Sequence, residues 1–144
     1  RLIGGKTDIV MMLNGALAGL VAITAEPLTP GPITAMFIGS IGAIIMYFGT
    51  KMLESYGLDD VVGAIPVHMF AGIFGTLVVP LTNSDTSFGT QFIGTASVCI
   101  FSFGLSWITF TLLKSTIGLR ISKAAEKLGT DKAEVGVTAY SIRD

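Results

Sequence analysis

Four stretches of the chain, 9–25, 27–50, 61–84 and 86–113, carry no Asp, Glu, Lys or Arg. A helix that crosses ~30 Å of hydrocarbon needs ~20 mostly apolar residues, within a range of ~17–25. The four blocks therefore predict four membrane helices at about 9–26, 32–53, 61–80 and 90–117. The first is not a signal peptide, because no cleavage site follows it and the next apolar block begins almost at once. The fold class this pattern predicts is all-α, a polytopic transmembrane helical bundle over residues 1–117 with a polar tail over 118–144.

Small residues recur inside the blocks. Gly15 and Gly19 form a GxxxG in the first, and Gly39, Ser40, Gly42 and Ala43 a similar face in the second. Such faces let helix backbones approach closely where lipid supplies no hydrophobic drive to associate. After Gly118 the pattern changes: 122–128 mixes Lys123, Glu126 and Lys127 with alanines as a short helix, and 130–144 reads as polar and irregular.

Composition agrees with a membrane reading. Hydrophobic residues make up 51% of the chain and charged ones 13%, about half the usual share of a soluble domain. The mean hydropathy is +0.73. A net charge of −1 removes the electrostatic case for nucleic-acid binding. Charge placement predicts orientation. All 9 Lys and Arg fall on one side: Arg1 and Lys6 before the first block, Lys51 in the middle loop, and the rest from Lys114 to Arg143. Loops 26–31 and 82–89 contain none, so both ends of the chain are expected on the cytoplasmic side.

Candidate chemistry is sparse. Cys99 is the single cysteine and can form neither an internal disulfide nor a CxxC metal site. No metal constellation, catalytic triad or phosphate loop is present, so neither enzyme activity nor a cofactor is expected. The third block carries the exception, since His68 is the single histidine and lies in a charge-free run. An ionisable residue in a membrane segment usually faces a bundle interior or a water-filled pathway. Imidazole can donate through one nitrogen and accept through the other, and an apolar lumen would keep it neutral. A histidine held by one interhelical hydrogen bond, with no transport role, is the competing reading. Pro66 is expected to kink the helix and Gly63 to loosen its start. Asp59 and Asp60 complement the positive end of that helix. Asn14 reads equally as a pathway residue or as an interhelical hydrogen-bonder. Phe70, Phe74, Phe101, Phe103 and Trp107 read as packing or interfacial residues.

Four segments together resemble one family. Asn14-Gly15-Ala16-Leu17-Ala18-Gly19-Leu20-Val21-Ala22-Ile23-Thr24 is similar to a signature run of the ammonium transporters (Amt/MEP/Rh). Asp59-Asp60-Val61-Val62-Gly63-Ala64-Ile65-Pro66-Val67-His68 resembles the segment bearing the second histidine of that family's pore pair. Gly118-Leu119-Arg120 resembles the exit of its last membrane helix, and Gly129-x-Asp131-x-x-Glu134-x-Gly136-x-x-Ala139-Tyr140 its cytoplasmic tail motif. The matches run in the family's order along the whole chain.

The resemblance implies an eleven-helix fold built from inverted repeats and assembled as homotrimers with one pore per subunit. This chain, which starts at Arg1 without a methionine, would be helices eight to eleven of it plus the tail. The implied function is transmembrane ammonium transport: ammonium is recruited outside, deprotonated and passed as ammonia through an apolar, histidine-lined pore. His68 would be the inner histidine, with Ala64 and Leu17 as apolar wall positions. Gly129, Asp131, Glu134, Gly136 and Tyr140 would form a regulatory tail that contacts neighbouring subunits and docks PII-type regulatory proteins. An ammonium sensor on the same membrane core is the alternative, and a membrane interaction module with a structural histidine a third reading. The chain departs from the family pattern at Gly63, where some members carry aspartate. It departs also at Pro66 and Met69, where many carry glycine, and at Val135, where the tail motif has histidine.

Overall fold

Asp8 starts the first helix: its carboxylate accepts the Met11 N–H at 3.0 Å and so caps α1 (Ile9–Ile23), in a computed structural model that describes residues 7–139. No strand occurs among the described residues. α1 ends three residues before the expected 26. Pro27 disfavours helical geometry at Glu26, and the Thr24 N–H and hydroxyl both turn back onto the Val21 carbonyl. α2 (Pro32–Ser55) opens with Pro32 in its first turn, where the missing N–H has no partner to lose.

The third apolar block is not one α-helix from 61. Val61 and Val62 form a turn and Gly63 adopts φ +73°, a left-handed conformation that a side chain would strain. A π-helical segment, Ile65–Phe70, follows and passes into α3 (Ala71–Val78) and a 3₁₀ turn at Val79–Leu81. Pro66 therefore does not kink a helix interior as expected. It sits in the first turn of its segment, where the donor it lacks would be unpaired in any case.

α4 (Phe88–Thr116) has 29 residues, none of them buried. α5 (Lys123–Leu128) is capped by the Ser122 hydroxyl, which accepts the Ala125 N–H at 3.2 Å. The segment after it is not irregular as expected: Asp131–Val135 forms a π-helical turn closed at Gly136. By length and composition, α2 and α4 are able to cross a membrane, while α1 and the Ile65–Leu81 run are shorter apolar helices.

The chain divides within α4 into two compact units, Arg1–Cys99 and Ile100–Asp144. In the first, small residues set the helix spacing. A methyl group on Gly19 would stand 3.1 Å from the Gly39 carbonyl oxygen, so α1 and α2 meet backbone to backbone. One on Gly42 would stand 2.6 Å from Ala22 Cβ and 2.8 Å from the Ala18 carbonyl oxygen. On α3, Gly75 faces the Ala22 backbone just as closely. The core between these contacts is Ala18, Met46, Val67 and Ala71, flanked by Met11 and Val21.

The two turns at the Lys- and Arg-free side of this unit are tied together. Glu26 accepts from Asn83 Nδ2 at 2.8 Å and from the Leu28 N–H at 3.2 Å. These bonds, the one from Asn83 first, hold its carboxyl below the usual glutamate range.

Candidate functional site

The residues around His68 are held from two directions. Asp60 reaches over the turn that precedes the segment, and its carboxylate accepts the Ala64 N–H at 2.9 Å and the Ile65 N–H at 2.8 Å. Those donors open the helical run and have no partner within it. The opposite hold comes from α1: Asn14 Nδ2 donates to the Val62 carbonyl at 3.0 Å. Gly63 lies buried beneath that carboxamide, where a methyl group would stand 2.5 Å from Nδ2. Asn14 thus makes a long-range hydrogen bond, but from α1 to the turn before the His68 segment rather than between two helices.

His68 sits mid-segment, one residue after Val67, which is 2% exposed in the core. The imidazole is exposed, not buried in a lumen within this chain, and Ala64 and Leu17 are exposed as well. Leu17 belongs to α1, and Ala64 and His68 to the run that packs on it. Gly72 follows His68 by one turn and packs against Val21, whose Cγ1 would lie 3.6 Å from a methyl on Gly72. Val21 follows Leu17 by one turn of α1. Gly72 thus sets the run against α1 just after His68, and His68 is the one ionisable side chain in that run.

Beside this turn, a cavity of about 230 Å³ opens between the end of α2 and the loop, lined by Thr50, Glu54, Asp59, Asp60, Gly63 and Pro66 among others. Lys51 pairs with Glu54 at 2.9 Å nearby. Among the described residues, no group of His, Cys, Asp and Glu is arranged to hold a metal ion.

In the second unit, Asp131 organises the tail segment. Its Oδ2 accepts the Ala139 N–H at 2.9 Å, and its carbonyl accepts from Val137 at 3.2 Å. Gly136 makes that return possible with φ +75°, and Gly129 leaves room for the Asp131 carboxylate, since a methyl there would lie 2.6 Å from Oδ1. Glu134 is exposed in the same turn, and Tyr140 lies outside the described residues. The bond from Ala139 is the main cause holding the Asp131 carboxyl below its ordinary range. A depressed carboxylate supports the folded turn fully above the unfolded value of about 3.9 and loses that support as pH falls through the lower folded value. Protection of the Ala139 amide from hydrogen exchange is accordingly expected to hold steady from about pH 5 upward and to fall below about pH 4. In Asp131→Ala it should be low at every pH, and unchanged protection in that variant would refute the clasp.

The sequence model of the Ammonium Transporter Family matches residues 1–140. The chain belongs to the Ammonium Transporter Family. It is 38% identical to ammonium transporter Amt2 of Archaeoglobus fulgidus, across 94% of this chain and 33% of that protein. Identity to a putative ammonium transporter of Synechocystis is 39%, across 85% of this chain and 25% of the relative. Identity to the ammonium transporter of Corynebacterium glutamicum is 31%, across 99% and 35%. The chain thus spans about a third or less of the length of these curated relatives.

For this member of the Ammonium Transporter Family, sequence reasoning singled out His68 but not the bonds that fix its backbone. The contact of Asn14 with Val62 joins positions 48 apart, which no local pattern reveals. The reach of Asp60 to Ala64 and Ile65 depends on the turn at Gly63, for which the glycine itself was the available signal.

Proposed function

We propose that this chain serves transmembrane ammonium transport, as a part of a longer ammonium transporter corresponding to the last four membrane helices and the cytoplasmic tail. The observation that carries the reading is the exposed His68, the one ionisable side chain of an apolar run that packs on α1, in a chain of this family; Ala64 and Leu17 are proposed as apolar wall positions beside it. In the full-length protein these residues form one wall of the pathway. Ammonium is recruited at the outer face and gives up a proton. The neutral ammonia then crosses an apolar lumen in which His68 accepts or donates hydrogen bonds or supports proton movement. A potassium ion has no proton to give up and meets the full cost of leaving water, so selectivity follows from deprotonation rather than size.

The same proposal places four helices across the bilayer and both ends of the chain in the cytoplasm, supported by the one-sided lysines and arginines. It takes the full-length protein as a homotrimer. The turn built by Gly129, Asp131, Glu134 and Gly136, with Tyr140 beyond it, is the regulatory surface toward neighbouring subunits and a PII-type protein.

The test is ammonium uptake by the full-length parent and its His68→Ala variant in cells lacking their own transporters. Uptake is expected to fall about tenfold or more at equal amounts of folded protein, equivalent to ~1.4 kcal/mol or more. Unchanged uptake would demote His68 to packing. No uptake even by the parent would favour the ammonium sensor.

A further inference from the structure

We propose that Asn14 is a positioning residue for His68, acting through the turn at Val62–Gly63; the inference rests on the pathway role given to His68 above. Asn14 is the one polar side chain among the fifteen residues of α1 (Ile9–Ile23). A carboxamide in an apolar helix costs free energy unless its groups are paired, and here the amide donates to the Val62 carbonyl at 3.0 Å.

That carbonyl belongs to the peptide entering Gly63, so the bond sets the direction of the chain where it turns left-handed. The connection onward is short. The Gly63 N–H donates to the Asp60 carbonyl at 3.1 Å, and the Gly63 carbonyl accepts the Val67 N–H at 3.2 Å. Val67 is locked in the core against Ala18, Met46 and Ala71, and His68 is the next residue. The fit of Asn14 over Gly63 leaves no slack, because a methyl on that glycine would meet Nδ2 at 2.5 Å. Loss of the amide would free Val62 and let the first turn of the π-helical segment rotate. Val67 is held by the core cluster, whereas the exposed imidazole one residue on is not. The imidazole would therefore shift while the core stayed packed.

The experiment uses the full-length transporter with Asn14→Asp, which keeps the shape but sets an oxygen against the Val62 carbonyl. Asn14→Ser, whose hydroxyl is too short to reach it, serves as the second variant. Ammonium uptake is measured per folded molecule over a range of pH. Accessibility of His68 is measured in parallel as its rate of acylation by diethyl pyrocarbonate, resolved peptide by peptide. Net loss of one hydrogen bond corresponds to about a two- to tenfold effect. Uptake is expected to fall by that factor with an altered pH profile, and His68 acylation to change more than twofold while other sites keep their rates.

Parent-like uptake and His68 acylation in both variants would overturn the inference. So would reduced uptake with unchanged His68 acylation, which would show that Asn14 acts elsewhere. Failure of both variants to accumulate as folded protein would also overturn it, in favour of a purely structural role. The His68→Ala control separates the two readings. Unchanged uptake there removes the pathway role and this inference with it, whereas reduced uptake there with parent-like Asn14 variants removes this inference alone.

Discussion

Gly75→Val is expected to leave little folded full-length protein, and what does fold should denature at a lower temperature than the parent. The reason is the identity of the opposing atoms. A Cβ at Gly75 would overlap the Ala22 carbonyl oxygen and stand 2.8 Å from both the Cα and the carbonyl carbon of that residue. Backbone cannot turn aside as the end of a flexible side chain can, so α3 would have to move off α1. Ala22 is also the residue that fills the notch at Gly42 of α2, so a displacement at one contact disturbs the other. The cost should fall at or above the upper end of the ~1–3 kcal/mol usual for overpacking, with two further methyl groups of valine adding to it. Gly31→Ala provides the comparison: nothing lies within 4 Å of a methyl there and its φ of −63° suits any residue. That variant should behave as the parent within about 0.5 kcal/mol. Parent-like yield and denaturation temperature for Gly75→Val in detergent would show that α1 and α3 do not approach as described.

The small-residue contacts show how far the fold was legible in the chain. The Gly15–Gly19 spacing and the face of Gly39, Ser40, Gly42 and Ala43 marked α1 and α2 for close helix contacts without naming their partners, and Gly19 meets Gly39 backbone to backbone. That inference works because a glycine spacing is a local property and close approach is its direct consequence. The start of the third helical run was not legible in the same way. Absence of charge from 61 onward is a statement about burial in lipid, and it says nothing about which of those residues are helical. Backbone conformation at Gly63 is set from both sides, by the bond that its N–H donates to the Asp60 carbonyl and by the bond that Asn14 donates to the Val62 carbonyl from α1. Pro66 was misread for a related reason. A proline breaks a helix interior but is at home in a first turn, and the distinction depends on where the helix begins. The tail shows the same limit: Asp131 and Ala139 are eight residues apart, and their bond gives order to a segment whose composition looks irregular. For the site, a lone ionisable side chain in an apolar run made His68 conspicuous. The polar groups that fix its backbone were legible as residue types, but their partners were not.

Asp60→Ala is the substitution expected to combine lost stability with lost transport. The Asp60 carboxylate accepts two backbone N–H groups, from Ala64 at 2.9 Å and Ile65 at 2.8 Å, at the opening of the segment that holds His68. Alanine leaves both donors without that partner and removes a negative charge from the positive end of the helical run. Loss of a comparable helix-capping side chain costs about 0.5–2 kcal/mol, and hydrogen bonds to charged groups contribute about 1.5–3 kcal/mol. A destabilisation of ~1–3 kcal/mol is therefore expected, smaller than for Gly75→Val because water and solvent-facing backbone can adjust around the exposed turn. Asp60→Asn should fall between the two, since its one carbonyl oxygen can still accept while the charge is gone. Asp59 is the internal comparison. It is exposed and does not cap these donors, so Asp59→Ala should lie near the parent. Under the proposed function the uptake per folded molecule should follow the same order, because the capped donors stand only three and four residues before His68. Thermal denaturation in detergent together with uptake in cells checks both halves. Equal stability of Asp59→Ala and Asp60→Ala would remove the cap from the account. A destabilised Asp60→Ala whose folded molecules transport at the parent rate would show that the cap holds the helix together without governing the histidine.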